Sequence, residues 1–129
     1  MQHFVHYFLH FGFPFLIAFF FFKKEWKKVA LILLATMLVD IDHLLATPIF
    51  DPHRCSFGFH PLHSYYAMGV YFFLLFLKKP YSIIGFGLLL HILTDFIDCL
   101  FMYNACNSCL ENVPAKGILE TISRLLFQL

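Results

Sequence analysis

Val39-Asp40-Ile41-Asp42-His43 places two carboxylates and an imidazole near the end of a run, Val29 to Phe50, that is otherwise apolar enough to span a bilayer. Nothing about spanning requires them. An ionisable residue at membrane depth costs roughly 2.5 to 3.5 kcal/mol on the insertion scale, so a chain that keeps three together must offset that cost with partners or a cation. Partners recur elsewhere. His91-Ile92-Leu93-Thr94-Asp95-Phe96-Ile97-Asp98 interrupts a second apolar segment, His60-Pro61-Leu62-His63-Ser64 lies on the loop between the two, and His6 and His10 sit in the first segment. The chain reads as a scaffold that brings these four groups together.

Composition sets the class. The 129 residues are 60% hydrophobic and 20% aromatic, with only 13% charged, which cannot furnish an ordinary soluble surface. A net charge of +1 gives no electrostatic footprint for nucleic acid, and nucleic-acid binding is excluded. The length suits one compact unit, so residues 1–129 are expected to form a single membrane-embedded domain.

The spans are expected at about residues 4–22, 29–50, 61–77 and 81–103, an all-α, four-helix polytopic membrane protein. Phe4 to Phe22 carries no Lys, Arg, Asp or Glu and is long enough, at about 1.5 Å per residue, to cross a core of roughly 30 Å. It lacks the basic start and small-residue cleavage site of a signal peptide, and it is expected to remain in the mature protein. Pro14 predicts a kink within it. Lys23-Lys24-Glu25-Trp26-Lys27-Lys28 and Lys78-Lys79-Pro80 are basic turns, and their lysines outweigh Arg54, Lys116 and Arg124 at the other end. Basic residues mark the cytoplasmic side, so both termini and the polar groups are expected to face outward. In residues 112–129, Ile118, Leu119, Ile122, Leu125, Leu126 and Leu129 recur at three- and four-residue steps. They predict an amphipathic helix too short to span, lying on the interface, capping the polar site or serving an oligomer contact.

Residues three, four and seven apart share a helical face. His6 and His10 are i,i+4, Asp40 and His43 are i,i+3, and His91, Asp95 and Asp98 form one stripe. Asp42 falls about 100° from His43 on an α-helix. It therefore needs a local unwinding or a different task, such as accepting a hydrogen bond from a ligating imidazole and fixing its tautomer. The cation that wants imidazole nitrogen and carboxylate oxygen at about 2.0 Å is of the zinc class. The candidate ligands are His6, His10, Asp40, His43, His60, His63, His91 and Asp95, enough for two ions bridged by an aspartate. Asp42 and Asp98 are the candidate general bases.

The same motifs carry a family likeness. A histidine in the first helix (His6 or His10), Asp40-Ile41-Asp42-His43 ending the second, His63-Ser64 after the loop histidine His60, and His91-Ile92-Leu93-Thr94-Asp95 in a later helix resemble the small membrane-bound metal-dependent hydrolases of bacteria. Their pattern is related to zinc-dependent phospholipase C, and the chain looks most like a smaller set of uncharacterised bacterial four-span proteins. The likeness covers residues 6 to 98. It implies a hydrolase in the bacterial inner membrane, acting on a phosphoester or similar bond of a lipid or lipid-linked substrate.

Two other classes use similar residues. A non-catalytic metal-binding or transport protein would share the ligands, although they stop at the outer half of the spans instead of crossing. A bis-histidine haem protein would need His6, His10, His43 or His91 in apolar surroundings, which the adjacent carboxylates oppose. His3 and His53 read as interfacial. Cys106-Asn107-Ser108-Cys109 has knuckle or redox spacing but reads equally as a disulfide, as does Cys55 with Cys99 if the loop packs on the fourth helix.

Overall fold

The structure, a computed structural model, describes residues 2–47, 49, 55–106, 110 and 113–127. The end of the second expected span, the loop through Arg54, Cys109 and both ends of the tail lie outside the described residues. Among these residues every regular element is helical: α1 (Gln2–Tyr7), a π-helical turn (Phe8–Gly12), α2 (Phe13–Phe21), α3 (Trp26–Ala35), a 3₁₀ segment (Thr36–Leu45), a short 3₁₀ turn (Pro61–His63), α4 (Tyr65–Leu74), α5 (Tyr81–Ala105) and α6 (Lys116–Phe127). Two stretches, Phe4–Phe21 and Tyr81–Ala105, are long and apolar enough to cross a membrane. Of the four spans expected, these two pass by length and composition, and the first, second and third regions each depart from a continuous α-helix for a physical reason.

In the first, Pro14 has no N–H for the His10 carbonyl, and its ring crowds the preceding turn. The chain answers by widening that turn. Phe13 N–H bonds the Phe8 carbonyl, five residues back, and His10 is buried in the π turn this creates. In the second region, the buried Thr36 hydroxyl donates to the Leu33 carbonyl at 2.6 Å. That is the acceptor an α-helix would offer to Met37 N–H, so the side chain competes for the ladder, and the chain winds into 3₁₀ geometry from there. With three residues per turn, Thr36, Val39 and Asp42 become one buried face. Leu38, Ile41 and Leu44 become one exposed face.

The third region begins with the chain turning inward. Gly58 adopts φ +77°, a conformation open to glycine at little cost, and its N–H donates to the His63 carbonyl. The turn after it closes on Ser64, whose Oγ accepts from Ala67 N–H at 3.3 Å and caps α4. The serine after His63 therefore has a structural task. α4 has only ten residues, about 15 Å at helical rise, which leaves Cys55, His60 and His63 buried among the helices instead of hanging outside as a loop.

α5 is the organising helix, packing against α1, α3, α4, α6 and the 3₁₀ segment. Two glycines let it do so. A Cβ on Gly85 would meet Leu74 Cβ at 2.6 Å and the Tyr71 carbonyl at 2.7 Å, and one on Gly87 would meet the Thr36 side chain at 2.7 Å. Because the Tyr71 contact is backbone and cannot rotate away, Gly85→Ala is expected to destabilise the protein by about 1 to 3 kcal/mol through overpacking. A thermal melt in detergent checks this, and an unchanged midpoint would show α4 and α5 to be loosely apposed. Ala115, just before α6, and Leu119 pack on the end of α5 beside Leu100 and Tyr103, and Ser123 Oγ donates to Asn104 Oδ1 at 2.8 Å. Ile118, Leu125 and Leu126 point outward.

Candidate metal centre

Between the apolar clusters at either end of α5 lies a layer of buried polar side chains: His10, Asp42, His60, His63, His91 and Asp95. They come from several local geometries. The π turn carries His10, the 3₁₀ segment Asp40 and Asp42, the Pro61–His63 turn His63, and regular α5 both His91 and Asp95.

Four of these converge. His63 Nε2 and His91 Nε2 are 3.2 Å apart. Asp40 Oδ1 lies 3.1 Å from His91 Nε2 and 3.6 Å from His63 Nε2. Asp95 Oδ2 lies 3.0 Å from His63 Nε2 and 3.5 Å from His91 Nε2. A tetrahedral cation with ligands at 2.0 to 2.1 Å has ligand–ligand edges of about 3.3 to 3.4 Å, the middle of this range.

The far side of each imidazole explains why these nitrogens are free to bind. His63 Nδ1 donates to Asp42 Oδ2 at 3.1 Å, and His91 Nδ1 faces the Met37 sulfur at 3.3 Å. With the protons on Nδ1, both Nε2 lone pairs point at the same spot as two carboxylate oxygens. Four acceptors facing one point repel one another unless a positive charge, a metal ion or a proton, sits among them. The residues present fit such an ion, and the carboxylate behind His63 is the outer partner that fixes a ligand tautomer.

Asp42 is therefore placed behind a ligand. It is 2% exposed, and its Oδ2 also accepts Leu62 N–H at 2.8 Å. Asp42, His43 and His63 form a second potential group, but filling both groups would require His63 to bind through both nitrogens as an imidazolate, so the first set is the better site. His43 Nδ1 donates to the Asp40 carbonyl at 3.2 Å, its Nε2 meets Ser56 Oγ at 2.8 Å, and the His60 ring packs on it at 4.1 Å. His60 is buried yet lies in neither group.

His6, His10 and Asp98 flank the centre without joining either group. His10 Nδ1 donates to the His6 carbonyl at 3.1 Å, which turns its Nε2 toward Asp95 Oδ1 at 3.5 Å. Asp95 thus presents one oxygen to the four-atom set and the other to His10. His6 Nδ1 and Asp98 Oδ2 are 3.6 Å apart. His6 and Asp98 line an open cavity of ≈ 250 Å³ with Asp40, His43, Ser56 and Asp95. Ser56 and Met37 were not singled out by sequence, since a lone serine after a cysteine and a methionine in an apolar run carry no motif.

Cys55 and Cys99 form a disulfide, with Cα atoms 5.3 Å apart, that ties the inward segment to α5 at the cavity wall. Cys106 is also disulfide-bonded.

The family model described as Family of unknown function (DUF6122) matches residues 1–102. The chain belongs to that family. No curated protein and no solved structure matches it. The DUF6122 match takes in every candidate ligand from His6 to Asp98 and ends before α6, so the polar layer lies within the family's extent and the amphipathic tail outside it. The family carries no assigned function, and membership by itself confers neither hydrolysis nor zinc on this chain.

Proposed function

We propose that this DUF6122 protein is a membrane-embedded, metal-dependent hydrolase that cleaves a phosphoester or similar bond of a lipid or lipid-linked substrate. The observation that carries the proposal is the convergence of His63 Nε2, His91 Nε2, Asp40 Oδ1 and Asp95 Oδ2 at tetrahedral spacing beside an open cavity. Mixed nitrogen and oxygen donors favour zinc among the common ions. A second ion would bind where Asp95 Oδ1 faces His10, with His6 and Asp98 behind it. Two divalent ions would balance the charge of Asp40, Asp42, Asp95 and Asp98, and no lysine or arginine among the described residues lines the cavity.

Such a cation supplies Lewis acidity and an activated water at neutral pH. The chain's own residues do the rest. Asp42 holds His63 in its binding tautomer, and Asp98, on the cavity wall, is positioned to take a proton. The haem alternative is disfavoured because the rings of His10 and His91, two of its candidate ligands, lie only 4.6 Å apart centre to centre with the Asp95 carboxylate beside both, which leaves no room for a porphyrin between them.

Membrane embedding is supported by an inverted surface: Phe21, Leu31, Leu38, Leu45 and Phe76 are each 70% or more exposed while His10, His60, His63 and His91 are buried. α3 and the 3₁₀ segment together rise about 35 Å, enough to cross. In this reading α4 is a half-length third span, and the Cys55–Ser64 segment enters the outer half as backbone sheltered by protein. The Cys55–Cys99 disulfide suits an oxidising compartment, and together with the lysine asymmetry it supports a reading in which the site faces the outer side of a bacterial inner membrane.

Elemental analysis of detergent-purified protein is expected to find one or two zinc ions per chain. Chelator-sensitive, zinc-restored release of phosphorylated headgroup from phospholipid vesicles should accompany them. Absence of stoichiometric metal together with no gain in melting temperature on adding zinc would reject the reading. For orientation, alkaline phosphatase fused to the C-terminus is expected to be active in intact cells, and an inactive phosphatase with a fluorescent GFP fusion would invert the topology.

A further inference from the structure

Ser56, His43 and the two aspartates of the 3₁₀ segment form a nucleophile–base–orienter arrangement beside the four-ligand group. Ser56 Oγ is 2.8 Å from His43 Nε2. The opposite nitrogen, Nδ1, donates to the Asp40 carbonyl at 3.2 Å, with Asp40 Oδ1 at 3.3 Å and Asp42 Oδ1 at 3.4 Å around it. That orientation places the proton on Nδ1 and leaves the Nε2 lone pair for the serine hydroxyl. Such sets are recognised by geometry and roles, whatever their order in the chain.

The serine is also held and accessible. Its neighbour Cys55 is fully buried and bonded to Cys99 on α5, so the backbone carrying Ser56 is anchored to the most regular element of the fold. Ser56, His43 and Cys99 line one cavity, which His6, Asp95 and Asp98 share and whose remaining wall includes Leu44, Ile49 and Met102. An apolar wall meeting a polar floor suits the headgroup end of an amphiphile.

We propose that Ser56 is a nucleophile activated by His43, and that the reaction passes through a seryl phosphoester. This rests on the hydrolase reading and deepens it. Ser56 Oγ attacks phosphorus as its proton passes to His43 Nε2. The P–O bond to the leaving alcohol breaks, and the alcohol leaves with that proton. Water then attacks the seryl phosphoester, giving a proton to His43, and Ser56 is released as the hydroxyl with phosphate or its monoester as product. No electron transfer or further reactant is needed. The bare alternative is that the Ser56–His43 bond merely tethers the inward segment to the 3₁₀ helix.

An alkyl fluorophosphonate, which phosphonylates base-activated serines with loss of fluoride, separates the two. The detergent-purified protein is expected to take one adduct, placed by peptide mass spectrometry on Ser56. Labelling should be absent in Ser56→Ala and reduced at least tenfold in His43→Gln, both variants retaining the Cys55–Cys99 disulfide and their zinc. Intact protein with stoichiometric zinc and vesicle hydrolysis, but no adduct at Ser56, would overturn the serine while leaving the metal hydrolase standing. An adduct at Ser56 on protein that binds no zinc would support the serine and remove the metal reading instead. Equal labelling of wild type and His43→Gln would overturn the assigned base.

Discussion

Asp95→Asn is expected to empty the metal centre and to abolish stabilisation by zinc. Asp95 is 6% exposed and faces the centre with both oxygens: Oδ2 approaches His63 and His91, and Oδ1 approaches His10. The amide keeps the shape but brings an NH₂ group to one of these two faces. Turned toward His63 and His91, it donates to a nitrogen lone pair that should hold metal; turned toward His10, it removes the bridge to a second ion. The charge is lost either way. Ligand loss should exceed the 10- to 100-fold cost of losing an outer partner. At free zinc 100 times the wild-type dissociation constant, wild type gains about 2.7 kcal/mol, read as a rise in melting temperature, and Asp95→Asn should gain almost none. Wild-type zinc affinity in this variant would mean that the His91/Asp95 stripe is structural and that metal, if bound, sits with Asp42, His43 and His63.

How much of this was legible in sequence depended on whether each ligand sat on an ordinary helix. His91, Asp95 and Asp98 at i, i+4 and i+7 could be read because α5 is a regular α-helix through all three. The Lys116–Phe127 helix was legible from its periodicity, although among the described members of the apolar set Leu119 and Ile122 face the core while Ile118, Leu125 and Leu126 do not. The Cys55–Cys99 pairing was foreseeable only on the condition that the loop packs on α5, a condition set by long-range burial.

The tighter and wider windings were harder to read. Pro14 predicts a kink, but a π turn that buries His10 is a choice made by the surrounding packing. Likewise, a 100° helical wheel sets Asp42 off the Asp40/His43 face. The 3₁₀ winding puts it on the buried Thr36/Val39 face instead, from which it reaches His63. Thr36 is the residue that tips the balance, through one side-chain bond to Leu33, and threonine in an apolar run gives no warning of it. Ser56 was silent for a different reason, since its partner His43 is brought to it by a contact across the inward-turning segment.

Asp42→Ala is expected to weaken zinc binding 10- to 100-fold, and Asp42→Asn to weaken it much less. Both effects follow from Oδ2, which accepts Leu62 N–H at 2.8 Å and His63 Nδ1–H at 3.1 Å. In Asp42→Ala the Leu62 N–H and the His63 Nδ1–H both lose their acceptor. His63 is then free to carry its proton on Nε2, the atom meant for metal. In Asp42→Asn the amide oxygen can occupy the Oδ2 position and accept both bonds, so His63 keeps its tautomer and loses only the neighbouring charge. The amide nitrogen then lies at Oδ1, 3.4 Å from His43 Nδ1 in the parent, where it opposes an N–H and a developing imidazolium. Hydrolysis in Asp42→Asn should therefore fall further than zinc affinity, toward the 10²- to 10⁴-fold typical of impaired general-base catalysis. Isothermal titration with zinc and vesicle hydrolysis, run on both variants, separate the two roles. If Asp42→Asn empties the centre as fully as Asp95→Asn, Asp42 binds metal directly, and the set built on Asp40, His63, His91 and Asp95 gives way to one built on Asp42.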